Sequence, residues 1–143
     1  GTLATLVRQA FRSNYLGFRS HAPALELLPT DQFLIAPSTC YETFGLALVE
    51  AFACGTPVIA SRHGAFAELV KDGVTGLLFN PGDASDLSEK IAWAESHPEK
   101  MLKMGQAARA EYEAKYTPQR NYKMLIGIYE DAIGKAHGEC QLA

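Results

Sequence analysis

The stretch Tyr41–Ser61, YETFGLALVEAFACGTPVIAS, decides how this chain is read. It places two acids, Glu42 and Glu50, eight positions apart inside an otherwise apolar run. Desolvating an unpaired carboxylate costs on the order of several kcal/mol, so each acid needs water, a protein donor or a ligand hydroxyl. The pattern around them is that of a helix between two strands. Leu46 to Cys54 reads as a short helix ended by Gly55 and Pro57, and Val58 to Ala60 reads as the strand that follows. Upstream, Phe33 to Ala36 (FLIA) is a continuous apolar run closed by Pro37-Ser38, as expected for a strand covered on both faces of a parallel sheet. Although Thr43 to Ala60 is nearly all apolar, Glu50 and the breaker triplet Gly55-Thr56-Pro57 argue against a membrane span.

Outward from this segment the alternation continues. Thr2 to Phe11 has helical spacing of Leu3, Leu6, Val7 and Ala10, and Asn14 to Phe18 (NYLGF) reads as a strand. Ser20 precedes a helix in HAPALELL, with Pro23 near its start and Pro29 ending it. Downstream, Ala65 to Val70 predicts a helical turn stopped by Asp72-Gly73, and Gly76 to Phe79 (GLLF) a further strand. Asp83, Ser85 or Asp86 can cap a helix through Ala94, and two more helices follow Pro98 and Pro118. Strands alternating with helices define an α/β fold with a Rossmann-like, mainly parallel sheet, flanking helices and a helical C-terminus.

The 143 residues suit one domain with a real core. A hydrophobic content of 48% and a formal net charge of -3 give no electrostatic pull toward a nucleic-acid backbone, so nucleic acid is not an expected partner. Cys40, Cys54 and Cys140 are odd in number and form no C-x-x-C pair; they indicate neither a disulfide framework nor a zinc site, and fit a reducing, cytoplasmic setting. Ser38 lacks a G-x-S-x-G elbow, and the chain has neither G-x-x-x-x-G-K-[ST] nor G-x-G-x-x-G, which counts against a hydrolase, a P-loop kinase and a dehydrogenase. His21, His97 and His137 read as isolated, with no metal-ligand spacing.

Ligands of open parallel sheets collect beyond the carboxyl ends of strands, and Glu42 lies a few residues past FLIA. Gly45 permits a tight turn into the helix from Leu46, whose free amides and positive dipole end suit phosphate oxygens. Such an end is worth about 0.3 to 1 kcal/mol to an anion, and about 2 kcal/mol when partly buried, which alone is too little for specific binding. Glu50 falls in the second turn beside Val49, Phe52 and Ala53. A ribose diol would satisfy its carboxylate through two charge-assisted hydrogen bonds of roughly 1.5 to 3 kcal/mol each. The plain alternative makes Glu50 an early-helix acid favoured by the dipole and Glu42 a solvated loop acid.

The segment from APS through YETFGLALVEAFACGTPVIAS to HGAFAELVKDGVTGLLFNPGD closely resembles the nucleotide-sugar-binding half of the retaining group 1 (family 4) glycosyltransferases, which have the GT-B fold. The resemblance runs from about Tyr15 into the C-terminal helices, and its centre is the family's glutamate pair, here Glu42 and Glu50. It implies a nucleotide-diphosphate sugar as donor substrate, with no cofactor and no metal. It implies ribose contact by Glu50, sugar-hydroxyl contact near the reacting carbon by Glu42, and diphosphate or sugar contact by the backbone of Thr43, Phe44, Gly45 and Leu46. Arg19 and Ser20 would lie in the nucleobase region, which the family contacts mostly through main chain. Two departures, Thr43 for the usual Gly and Gly64-Ala65 for a usual Gly-Gly, would narrow the sugar pocket.

On the same footing, residues 1–143 are expected to be a single, partial donor domain that lacks its first strands, with the N-terminal acceptor domain absent and no turnover by itself. The start at Gly1 without Met suggests an excised segment. The absent strands would separate NYLGF from FLIA, so either NYLGF pairs beside FLIA or a second copy of the chain closes the open edge. A non-catalytic nucleotide-sugar-binding or oligomerisation module is the alternative. His63 and Arg62 read as surface-loop residues, with donor-phosphate contact as the other reading, and Glu68 as a residue that holds the neighbouring loop. Trp93, Ile91, Met101 and Leu102 read as helix packing. Lys115, Arg120 and Lys123 form a solvated face, or one that meets an anionic membrane as many members of the family do.

Overall fold

The structure is a computed structural model that describes residues 16–17 and 20–140, with side chains as far as residue 134. The expected first helix, most of NYLGF and Arg19 lie outside the described residues. From the N-terminal side, a short helix α1 (His21–Leu25) leads through a 3-10 turn (Leu28–Thr30) to strand β1 (Leu34–Ala36). Helix α2 (Leu46–Cys54), strand β2 (Val58–Ser61), helix α3 (Gly64–Leu69) and strand β3 (Gly76–Phe79) follow. The chain then continues as helices α4 (Ala84–Ser96), α5 (Pro98–Lys115) and α6 (Pro118–Cys140).

Among the described residues the sheet has three strands in the order β1-β2-β3, all parallel. Leu34 lies opposite Val58, and Val58 opposite Gly76. Parallel neighbours require helical crossovers, here α2 and α3. Strands β2 and β3 are buried along their whole length, as strands covered on both faces are. Strand β1 departs from the expectation that FLIA is covered on both faces: Ile35 is exposed and Leu34 and Ala36 are half-buried, because β1 is the edge among the described residues. On one face Val58, Ala60 and Leu78 pack with Leu48, Ala51 and Phe52 of α2, Phe66 and Leu69 of α3, and Ala108 of α5. On the other, Ile59, Leu77 and Phe79 meet Ala94 of α4 and Met101 and Met104 of α5. Trp93 and Ile91 pack against this second cluster as expected. Leu102 does not, since it is largely exposed.

Helix α2 ends as its sequence dictates. Gly55 adopts the left-handed conformation (φ 72°), and its N–H and that of Thr56 return to the carbonyls of Phe52 and Ala51. Gly105 of α5 lies directly on the Gly55 carbonyl, so close that a Cβ there would collide with backbone. The Arg109 guanidinium donates to the Ala53 carbonyl from the next turn of α5. Pro29 differs from expectation: it sits inside the 3-10 turn rather than closing a longer helix, as its fixed φ suits a first-turn position. That turn is tied to the end of α2 by Thr56 Oγ1, which donates to the Leu28 carbonyl at 2.6 Å.

Strand β1 is an edge among the described residues, pairing only with β2. Whether NYLGF pairs beside it falls outside the described residues. Among the described residues no helix is long and apolar enough to cross a membrane.

Candidate functional site

The loop from Ser38 to Phe44 leaves the carboxyl end of β1 and returns the chain to α2. Gly45 makes that return possible in two ways. Its φ of 74° is disfavoured for side chains, and a Cβ there would press to 3.0 Å on Leu69 and on the Phe66 ring. Gly45 therefore seats the first turn of α2 against α3. Leu48 N–H reaches back to the Gly45 carbonyl at 3.0 Å, while the amides of Leu46 and Ala47 precede any acceptor the helix can offer.

Glu50 lies one turn further along. It lines an open cleft of about 610 Å³ together with Phe44, Leu46 and Val49 of the same segment. Leu25 of α1 and Tyr116, Asn121 and Met124 around the start of α6 line it as well. One oxygen of Glu50, Oε1, is 2.6 Å from Nε2 of His21 at the start of α1. The sequence reading of His21 as isolated is therefore corrected: 29 positions separate the two residues, and no local pattern reveals such a pairing.

Glu42 is exposed and lines neither this cleft nor its smaller neighbour, and among the described residues its carboxylate has no partner. Its backbone packs on the start of α3, where its carbonyl accepts from Ala65 N–H at 3.4 Å. Thr43 and Phe44 line a second pocket of about 260 Å³ with Ala65, Glu68, Leu69 and Tyr116. Phe44 and Tyr116, edge to face at 6.4 Å between ring centroids, belong to both spaces. The structure thus gathers Glu50, Phe44 and Leu46 in one cleft and Thr43 and Phe44 in the adjoining pocket.

The neighbouring polar groups are occupied. Arg62 pairs with Asp72 at 2.6 Å, and His63 lies against the Tyr41 ring at 3.9 Å. Burial alone would raise the Asp72 carboxyl; the Leu78 amide, which donates to it at 2.9 Å, and Arg62 outweigh that and hold it below the ordinary aspartate range. Glu111 is lowered by hydrogen bonds from Lys115 and Lys71. The solvated face expected for Lys115 is accordingly partly engaged, at 2.6 Å from Glu111. His97, also read as isolated, stacks on Trp93 with ring centroids 4.4 Å apart. Glu68 is exposed and ties down no loop among the described residues. No group of three or more His, Cys, Asp or Glu there is arranged to hold a metal ion.

The open parallel sheet with flanking helices is similar to the domains of GT-B glycosyltransferases. The family model for glycosyl transferases group 1 matches residues 9–111, and the chain belongs to that family. It is 34% identical over 105 residues to the D-inositol 3-phosphate glycosyltransferase of Saccharomonospora viridis, an alignment covering 73% of this chain and 24% of that protein. It is 33% identical over 110 residues to the MMP alpha-(1->4)-mannosyltransferase of Mycolicibacterium hassiacum, covering 76% and 26%. The chain thus spans about a quarter of the length of these relatives. Among solved structures, sucrose-phosphate synthase of Thermosynechococcus elongatus superposes with a TM-score of 0.81 at 28% identity, covering 93% of this chain and 34% of that one. HepE of Anabaena, solved with UDP-glucose, superposes with a TM-score of 0.76 at 28% identity, covering 90% and 36%. The C-terminal domain of a group 1 glycosyl transferase from Francisella tularensis gives 0.67 at 25% identity, covering 82% and 62%.

Proposed function

We propose that this chain is the donor-binding part of a retaining glycosyltransferase that uses a nucleotide-diphosphate sugar. The observation that carries the reading is Glu50, a partly buried carboxylate on the wall of the 610 Å³ cleft, one turn beyond the open amides of Leu46 and Ala47. In this reading the ribose diol bonds the Glu50 carboxylate, and the diphosphate lies against the backbone of Thr43, Phe44, Gly45 and Leu46. Glu42, at the end of the same loop, contacts hydroxyls of the transferred sugar. Thr43 and Ala65, the two departures from the family pattern, both line the smaller pocket and narrow the space left for that sugar. Arg19 belongs to the nucleobase side. The complex of HepE with UDP-glucose is consistent with a donor of this class.

In the transfer, the bond between the anomeric carbon and the diphosphate oxygen breaks, and its electron pair leaves with the diphosphate. An acceptor hydroxyl forms the new bond from the same face and passes its proton to the departing oxygen, which preserves the anomeric configuration. Glu42 supports the charge developing on the sugar without attacking it, and the work of the site is positioning and stabilisation of the leaving group. The reading calls on no metal and no cofactor. The acceptor and the groups that bind it belong to a second domain, and the isolated chain does not turn over.

Calorimetry with a set of nucleotide-diphosphate sugars, on the wild type and on Glu50→Ala, tests this. Saturable binding weakened at least about tenfold in the variant, the equivalent of one charge-assisted hydrogen bond, supports the donor site. Equal heats from both proteins remove Glu50 from it and favour a non-catalytic binding or assembly module.

A further inference from the structure

The contact between His21 and Glu50 joins α1 to α2. His21 is the first residue of α1, follows the extended Ser20 and keeps 69% of its side chain exposed; Glu50, on α2, keeps 23%. An ionised carboxylate only accepts hydrogen bonds, so a contact of 2.6 Å from Nε2 to Oε1 requires a proton on Nε2. Each carboxylate oxygen has two acceptor positions. One donor on Oε1 therefore fixes the plane of the group and leaves acceptor capacity on both oxygens. Oε2 has no partner among the described residues, and Glu50 faces the cleft. Leu25, one turn along α1 from His21, lines the same cleft as Glu50.

We propose that His21 is a positioning residue for donor recognition: it orients the Glu50 carboxylate toward a vicinal diol, and so sets how strongly the site distinguishes a ribose from a 2'-deoxyribose. The inference rests on the donor-site reading above. A glutamate held in one rotamer before the ligand arrives loses less conformational freedom on binding than one that must be ordered by it. The effect falls on the diol, because a ligand lacking one hydroxyl cannot use both oxygens of an oriented carboxylate.

The test measures dissociation constants of UDP, GDP and ADP, then of the 2'-deoxy counterpart of whichever binds most tightly, for wild type, Glu50→Ala, His21→Ala and His21→Gln. The wild type is expected to prefer the ribonucleotide by at least about tenfold, the equivalent of one charge-assisted hydrogen bond. Glu50→Ala should abolish that preference, and His21→Ala should reduce it to about threefold by weakening the ribonucleotide alone. His21→Gln, which retains a donor, should restore part of it. Loss of a fold element would weaken both nucleotides equally and leave their ratio unchanged. An unchanged ratio in His21→Ala with a collapsed ratio in Glu50→Ala overturns the inference and leaves the donor site standing. Tighter ribonucleotide binding by His21→Ala also overturns it, since His21 would then be a competitor. A ratio untouched by Glu50→Ala, or no binding of any of the three nucleotides, overturns the donor reading and the inference together.

Discussion

Helix α2 has a closed face and an open one. Leu48, Ala51 and Phe52 are fully buried against the sheet, and the C-terminal end is clasped by Gly105 and Arg109 of α5. On the other side Leu46 keeps 60% of its surface exposed, and Glu50 borders a cleft large enough for a ligand. Both faces are built from nine consecutive residues of mostly apolar character. The difference shows what each is for: the closed face spends apolar area on stability, and the open one holds a carboxylate whose second oxygen no protein group takes among the described residues.

The closed face should break hardest. Phe52→Ala removes a ring with no solvent exposure from the centre of the first core cluster. Truncations of this kind cost about 3 to 5 kcal/mol, the transfer term plus the cavity left behind. Urea denaturation should show that loss. A change below about 1 kcal/mol, the level of a surface substitution, would mean that α2 is not packed as described.

The junction between the faces comes next. Gly45→Ala places a side chain at a φ of 74° and presses it to 3.0 Å on Phe66 and Leu69. Left-handed strain alone costs roughly 1 to 2 kcal/mol, and the crowding is relieved by shifts of the Phe66 and Leu69 side chains and of the first turn of α2. That movement carries the amides of Leu46 and Ala47 with it. Thermal denaturation should register the lower stability, and calorimetry with a nucleotide-diphosphate sugar should register weaker binding. Lost stability with unchanged binding would separate the helix start from the diphosphate.

Much of the closed architecture is legible in the sequence. FLIA, VIA and GLLF are recovered as strands to within a residue at each end, since short apolar runs bounded by Pro, Gly or Asn leave few alternatives. Helix α2 is recovered with both its ends, because Gly45 and Gly55 mark them. Of the glutamate pair that the sequence sets eight positions apart, Glu50 lines the cleft and Glu42 lines neither the cleft nor the pocket beside it. The open side is harder to read. His21 and Glu50 meet across 29 positions, and Leu102 has the helical spacing of a core residue yet faces outward. Which residues pair, and which face of a long helix finds a neighbour, depends on tertiary packing that periodicity does not encode.

Asp72 offers the gentlest way to sharpen the contrast, because it is a carboxylate used for structure where Glu50 is left open. Its Oδ1 accepts from Leu78 N–H and its Oδ2 from Arg62, so both oxygens are taken by the protein. Its carboxyl is held below the ordinary aspartate range by the Leu78 amide and Arg62, which outweigh the opposing effect of burial. A group with a depressed folded-state pKa contributes stability that is fully present above the unfolded value and is lost as pH falls through the folded one. Asp72→Asn keeps an oxygen for Leu78 and loses the ion pair, which is partly solvated at 38% and 49% side-chain exposure and therefore worth at most about 1 kcal/mol. Urea denaturation should show this gap between wild type and variant at pH 6 and show it closing as pH falls below about 4, where the unfolded carboxylate is about half protonated. The same variant should bind donor as the wild type does, since neither Asp72 nor Arg62 lines the cleft beside Glu50. A gap that persists at low pH would mean that the Asp72 charge is not what the β3 turn depends on, and the division between structural and open carboxylates would then lose its clearest structural member.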